Sequence, residues 1–600
     1  WVLNVCVLFL VYIQLLWHNL EGSSHARASR TASTAHDPSD PKEASSAFHS
    51  GPRCNLYLAP STIPNSGLGI FAGRSFETNE LVAGGDILIA LSNYEWNNRN
   101  GTWEYVTNLW DEYFWDSGIC EDMEDDGGRV ELLSPGIGAA TNSYISLANV
   151  DDGGHNYLTK RPLPWNSPGT GAITLFHNRT WHATKNIPAG GEIFLNYGQV
   201  YFRQRSETIG YVGLPRTYPE TDKLMENYLE LKHESSVPSR SSLWKGLFGL
   251  VKEISDVWSD SRVLNGLPHK EDHVEPLLNE GGSAFRDYNR SFRDLDWLEE
   301  HGQCADNIRP GNSTIPDAGK GAFATRFIPN GGLVAPVPLV HVADYNAYRT
   351  YEPREGNGTN AKKVPNREMP SNFQLVLNYC FGHVESTLLL CPYGLWTSFI
   401  NHSSRQPNTR LQWSQSMRHQ EWKNMSILEW AQEEHSGLQF DFVAIRDIEE
   451  GEEILIDYGE EWEQAWQEHK QKYEPRSTYI PAFELNQMTD LEYRTVDDDR
   501  PYELDGATMF CRRSYVRRYV KKARSNHCRI LRKTGEDQYM VQLLKSNFYF
   551  QRNSTKIEPG PILFNVPSSV FEFSDLAYSR DPYQKNAFRH AMMIPDEIFP

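Results

Sequence analysis

Phe399–Asn408 reads FINHSSRQPN. The apolar run YGLWTSFI, Tyr393–Ile400, feeds directly into Asn401, His402, Ser403 and Ser404, and then into Pro407-Asn408. Polar side chains at that density do not fill a core strand, because each would need its own buried hydrogen-bond partner. The segment therefore reads as a strand that runs into a polar pocket.

Working outward, the chain repeats itself. STIPNSGLGIFAGRSFETNELV begins at Ser61, and STIPDAGKGAFATRFIPNGGLV begins at Ser313, an offset of 252. Cys54 precedes the first copy and Cys304 the second. NIPAGGEIFLNYG closes the first copy at Gly198, and DIEEGEEILIDYG closes the second at Gly459. Between start and end lies the polar turn. It carries Asn401 and Asn408 in the second copy, and Asn142 and Asn149, within TNSYISLANV, in the first. Three blocks in one order point to one scaffold used twice, with loop insertions between the blocks.

The blocks read mostly as strands. DFVAIRDI and EEILIDYG alternate around the turn EEGE, and GAITLFHN and GEIFLNYG do so around PAGG. Gly67/Gly69 and Gly319/Gly321 mark tight turns or close backbone approach. Helices are expected over Asp222–His233, over Leu243–Trp258 and at WEQAWQEHKQKY. Cys380 with Cys391 is the nearest candidate disulfide pair, and two free buried thiols are the preferred reading. No pair of cysteines has CxxC spacing, so no metal site is expected.

The chain has 600 residues and a formal net charge of −20. That length predicts two to four domains, and 17 Trp with 29 Tyr indicate globular structure rather than disorder. An acidic chain disfavours nonspecific nucleic-acid binding and suits a basic partner such as a Lys-rich peptide. Plain solubilisation by surface charge is the competing explanation. The basic run CRRSYVRRYVKKARSNHCRILRK reads first as a solvated helix face, with a nucleic-acid or acidic-partner patch as the less favoured alternative.

The expected organisation is a hydrophobic signal or anchor segment over 1–20, a linker over 21–50, a degenerate first copy over 51–215, and a partly helical connector over 216–300. The second copy follows over 301–475, and a β-containing C-terminal domain over 476–600. The run WVLNVCVLFLVYIQLLW has the length of a signal-peptide core or a short membrane span, and both readings stay open. The sequons at Asn100, Asn178, Asn289, Asn312, Asn357, Asn424 and Asn553 point weakly to the secretory route, and Asn401 also fits that pattern. If the first segment targets the chain, the location is membrane-anchored or secretory; otherwise it is nuclear or cytoplasmic.

GKGAFA, FINHSSRQPN and GEEILIDYG together resemble the SET domain of protein-lysine methyltransferases, and the first copy resembles it less closely. The tandem arrangement and the tail NAFRHAMMIPDEIFP are similar to SET-containing proteins of diatoms and related algae. The resemblance implies an α+β, β-rich fold of two tandem SET-like domains, each with a pseudoknot that brings the polar turn beside the final strand. It implies S-adenosylmethionine as cofactor, held by Gly319, Lys320, Gly321, Ala322, Asn401 and His402. Tyr458 is the implied catalytic phenol, with Tyr393 and Trp462 as candidate linings of a lysine channel. For Trp462 and Trp466, four apart on a helix, core packing is the favoured alternative. The implied partner is a lysine-containing protein or peptide, with no sequence-specific nucleic acid and with a membrane tether as an option. A family member with a Cys-rich zinc cluster closes its channel with it; this tail has only Cys511 and Cys528, so another closure is needed. The first copy has NSY where the second has NHS, and its expected role is packing or peptide recognition. The alternative to an enzyme is an inactive SET-like scaffold that binds peptides.

Overall fold

The computed structural model describes residues 54–91, 96–99, 102–105, 113–115, 131–152, 166–174, 176–205, 217–234, 244–246, 267–354, 364–430, 432–433, 436–475, 480–499, 501–502, 507–520, 527–545, 558–575 and 586–599. Two compact units result: one gathers chiefly residues 197–290, and the other holds the second repeat, the first repeat apart from 145–147 and its last residues from Tyr197, and the C-terminal part.

The smaller unit is helical. Thr217–Glu234, Val274–Asn279 and Gly282–Arg290 pack around Met225, Tyr228, Trp244 and Val274. Tyr218 donates to the buried Asp287 carboxylate at 2.6 Å. The expected helix over Asp222–His233 lies inside the first of these. That over Leu243–Trp258 falls outside the described residues except at 244–246.

In the larger unit each repeat builds a sheet with the same strand order. In the second repeat the order is Thr409–Trp413, Leu438–Ala444, Leu333–Val342, Leu389–Pro392, Phe381–Gly382. In the first it is Val150–Asp152, Phe176–Ala183, Leu81–Leu91, Glu131–Leu133, Phe114–Trp115. Leu438–Ala444 is buried at every position, and its two polar side chains, Gln439 and Asp441, are hydrogen-bonded to Gln303, Ser414 and each other. The second sheet has one strand more. Met592–Met593, from the far end of the chain, pairs in parallel with Phe381–Gly382. The span 476–600 therefore includes a strand of the second repeat's sheet. The rest of that span is β-rich, with Ala507–Cys511 paired to Phe571–Asp575 and a three-stranded sheet beside it.

The structure corrects three expectations here. GEIFLNYG forms only isolated bridges, at Gly191, Glu192 and Leu195, rather than a strand. GAITLFHN is not one strand: residues 171–173 are turn and the strand starts at Phe176, because Gly171 has φ +80°, a left-handed conformation that ends an extended run. Cys380 and Cys391 are a disulfide rather than free thiols. The register Phe381↔Leu390 makes the preceding pair Cys380 and Cys391, directly opposed across the ladder. Cys511–Cys528 and Cys54–Cys304 are also bonded. The last joins the start of the first copy to the start of the second, where Leu56–Pro60 pairs with Gln303–Cys304. Among the described residues no helix is long and apolar enough to cross a membrane; the run from Trp1 to Trp17 lies outside them.

Candidate active site

The site grows from one buried carboxylate. Glu453, only 6% exposed, accepts from Ser313 Oγ at 2.6 Å and from the Thr314 amide at 2.7 Å, and also from the Thr314 hydroxyl. It approaches Gly321 so closely that a Cβ there would meet Glu453 Oε1 at 2.2 Å, so only glycine fits. Burial works against ionisation of Glu453, but the bonds from Ser313, Thr314 and Asn401 outweigh it and hold the carboxyl below its usual range. Asn401 Nδ2 reaches Ser313 Oγ, the Lys320 carbonyl at 2.9 Å and Glu453. Asn401 and His402 pair in parallel with Leu455 and Ile456, so the polar turn lies along the final strand. Asn408 fixes that contact: its Nδ2 donates to Glu453 O at 2.7 Å and its Oδ1 accepts from Leu455 N at 2.8 Å.

Tyr458 follows directly. Its hydroxyl donates to the Ile400 carbonyl at 2.5 Å, and its amide donates to His402 Nδ1 at 3.0 Å. An amide donor on Nδ1 makes that nitrogen the acceptor, so the neutral ring carries its proton on Nε2. Burial lowers the His402 pKa against the pull of Asp457 and Glu463, which keeps the ring neutral at pH 7. Trp462, on the helix Glu460–Lys472, sets its ring 4.9 Å from both His402 and Tyr458. Phe588 from the tail closes on Trp462 and Trp466 at 5.5 and 5.0 Å. Met593 N donates to the Tyr458 carbonyl at 2.8 Å, and Gly459 leaves room for it, since a Cβ there would meet the Met593 side chain at 2.5 Å. These groups surround a largely apolar cavity of about 260 Å³.

Residues 319–459 match the family model described as SET domain. The chain carries a SET domain. No curated protein matches it. Similar solved structures include a Plasmodium falciparum protein assigned as a histone methyltransferase, at 18% identity and TM-score 0.16, covering 26% of this chain and 96% of that one. The Chaetomium thermophilum polycomb repressive complex 2 matches at 17% identity and TM-score 0.16, over 29% of this chain and 17% of that one. An autoinhibited form of a polycomb repressive complex 2 bound to S-adenosylmethionine gives 15%, 0.16, 31% and 18%. The chain thus spans under a fifth of the polycomb chains.

Within the SET domain, Tyr458, Asn401, His402, Lys320 and Trp462 all line the cavity. Gly319, Gly321 and Ala322 do not. Gly319 turns the chain with φ +73°, Gly321 makes way for Glu453, and Ala322 is fully buried and pairs with Pro310; it is Ile315–Ala318 that borders the cavity instead. Tyr393 is also elsewhere: its hydroxyl meets Ser436 at 3.2 Å and its ring meets Tyr113. Trp462 and Trp466 are cavity walls rather than core, and their helix has no buried residue. The Asn401 amide nitrogen, serving three acceptors, has no room for a glycan. Sequence reasoning missed Tyr379, which sits in the cavity with Tyr458 and whose hydroxyl burial pushes up to about 12. It also missed Phe588, whose only signal was an aromatic in an unassigned tail.

Proposed function

We propose that the chain is an S-adenosylmethionine-dependent protein-lysine methyltransferase with its site in the second repeat. The observation that carries this reading is the convergence of Tyr458, the Asn401-His402 turn and the Ile315–Lys320 loop on one apolar cavity. The residues fit the cofactor. The loop offers backbone, Asn401 Oδ1 is left for a ligand, and the rings of His402 and Trp462 supply flat apolar surface. Bound S-adenosylmethionine supplies a methyl group on a positive sulfur. A neutral His402 adds no further cation to the cavity.

The chain's own task is to deliver a neutral amine and align it. Free lysine has a pKa of about 10.4, so about one in a few thousand is neutral at pH 7. Apolar walls lower that pKa by desolvation, and the ring faces of Trp462, Trp466 and Phe588 tolerate a methylammonium product. The Tyr458 proton is held by Ile400 O, so its oxygen meets the channel as an acceptor. Fixed geometry supplies the rest of the acceleration. In place of a zinc cluster, the returning segment 588–593 closes the channel.

We read the first repeat as a second SET-like copy without this site. Its sheet order and its carboxylate cluster match those of the second, while Ser143 stands where His402 does. The test is incubation of the full chain with labelled cofactor and a pool of lysine peptides. Methyl incorporation should fall at least about a hundredfold in Tyr458→Phe, the loss typical of one aligned catalytic contact. Incorporation unaffected by that change contradicts the assignment.

A further inference from the structure

The cavity has a wall that does not belong to the SET domain. Gly169, Ala172 and Thr174, in the turn just before the first repeat's strand Phe176–Ala183, line it together with Tyr379 and Phe588. Four hydrogen bonds hold that turn in place. Thr174 N donates to the Tyr379 hydroxyl oxygen at 2.9 Å. Asn378 Nδ2 donates to Ala172 O at 2.9 Å and also to Phe588 O. Arg589 Nη1 donates to Gly171 O at 2.6 Å, while its Nε holds Phe373 O. His469 Nε2 meets Pro168 O at 2.8 Å. The first repeat, the second repeat and the tail are thus laced together around one end of the cavity.

The two phenols there are set in opposite senses. Tyr458 gives its proton to Ile400 O. Tyr379 instead receives an amide N–H on its oxygen, and among the described residues its own proton has no protein acceptor. An oxygen that accepts from Thr174 directs its proton away from that amide, towards whatever occupies the cavity. The orientation of Tyr379 is therefore determined by a backbone group of the other repeat.

We propose that the first repeat is a working part of the second repeat's site: its turn Pro168–Thr174 forms a wall of the substrate channel and positions the Tyr379 hydroxyl. This rests on the methyltransferase reading. Thr174 and Ala172 are positioning and specificity-determining residues, and an excised 301–475 module would have an open channel. A larger side chain at Ala172 narrows the channel from outside the SET domain.

The experiment uses the full chain with its disulfides intact, a pool of synthetic peptides with one lysine each, and S-adenosylhomocysteine as the calorimetric probe. Ala172→Trp should lower kcat/KM for methyl transfer at least about tenfold and leave the S-adenosylhomocysteine Kd within about twofold, since a blocked channel spares the cofactor end. An unchanged kcat/KM overturns the proposal, and so does a parallel loss of cofactor affinity. A second arm needs no turnover. Tyr379→Phe removes the acceptor of the Thr174 amide, and hydrogen exchange there should quicken about fivefold, the fold-change of one neutral hydrogen bond. Exchange that stays the same overturns the positioning claim. A wild-type chain that transfers no methyl group refutes the methyltransferase reading instead, and the exchange arm still decides the contact.

Discussion

The two repeats share a skeleton down to single hydrogen bonds. Glu192 accepts from Ser61 Oγ at 2.5 Å and Thr62 N at 2.7 Å, as Glu453 does from Ser313 and Thr314. A Cβ on Gly69 would meet Glu192 Oε1 at 2.4 Å, as one on Gly321 would meet Glu453. Asn149 bridges Glu192 O and Phe194 N at 2.9 and 2.8 Å, as Asn408 bridges Glu453 O and Leu455 N. The chemistry-bearing layer is shared only in part. Ser143 stands where His402 does, and Tyr197 meets Tyr201 edge-on and stacks on Phe202 of a short helix, as Tyr458 meets Trp462 edge-on. The repeated groups include the architecture and also Asn401 and Tyr458, while His402 and Phe588 add to the cavity of the second repeat alone. A motif match that spans both kinds of residue marks the scaffold first and the site second.

The largest stability effect is expected at the covalent tie. Cys54 and Cys304 are 250 residues apart, and removing a link that closes so long a loop costs about 2–5 kcal/mol. The double change Cys54→Ser/Cys304→Ser should therefore lower the thermal midpoint measured by calorimetry. Unchanged melting would mean that the tie does not hold the repeats together.

Next come the asparagine bridges. Asn149 and Asn408 are 3% and 1% exposed, and alanine at either leaves a buried N–H and a buried C=O unpaired. Each should cost about 2–4 kcal/mol by denaturant unfolding, since each unmet group costs about 1–3 kcal/mol. The two costs should agree within about 1 kcal/mol, as the matched bonds require. A large inequality would break the shared-skeleton account.

The smallest effect separates the two carboxylates. Burial raises the Glu192 pKa, and the bonds from Ser61, Thr62 and Asn142 only partly oppose it; for Glu453 the bonds win and the pKa is lowered. The Glu453 carboxylate therefore adds stability at pH values above the unfolded carboxyl pKa, about 4.3, and that contribution is lost as pH falls through its lower folded value. Glu192 acts in the opposite sense: its contribution is present below about pH 4.3 and is lost as pH rises through its raised folded value. At pH 7 Glu453→Gln should destabilise by about 1–3 kcal/mol, because its new amide would face Asn401 Nδ2 at 3.1 Å. Glu192→Gln should cost less than about 1 kcal/mol, as the corresponding Asn142 contact is 3.4 Å. The gap should shrink in unfolding titrations carried towards pH 4.

Much of this was legible in the sequence. Alternation before EEGE located the strand Leu438–Ala444, while that around PAGG did not give strands at GAITLFHN or GEIFLNYG as expected; the spaced blocks brought Asn401, His402 and Tyr458 together. Other features depend on register or on distant chain. The Cys54–Cys304 bond follows from the pairing of Tyr57 with Cys304, which no spacing reveals. Glu453 lay in the stretch EEILIDYG with nothing to mark it as buried, because a buried acid is legible only through the hydroxyls that meet it. Tyr393 sits in an apolar run as Phe399 does, yet successive side chains of an extended chain face opposite sides: Pro392 takes the cavity side, and Tyr393 meets Ser436 and Tyr113. Phe588 and Met593 reach the site from more than a hundred residues beyond the last motif.

The most direct test is a calorimetric titration of the full chain with S-adenosylhomocysteine. One binding site per chain should be found, abolished by Trp462→Ala and retained by Tyr197→Phe. Two sites per chain, or one site indifferent to Trp462→Ala, would contradict the claim that only the later repeat holds the methyl donor.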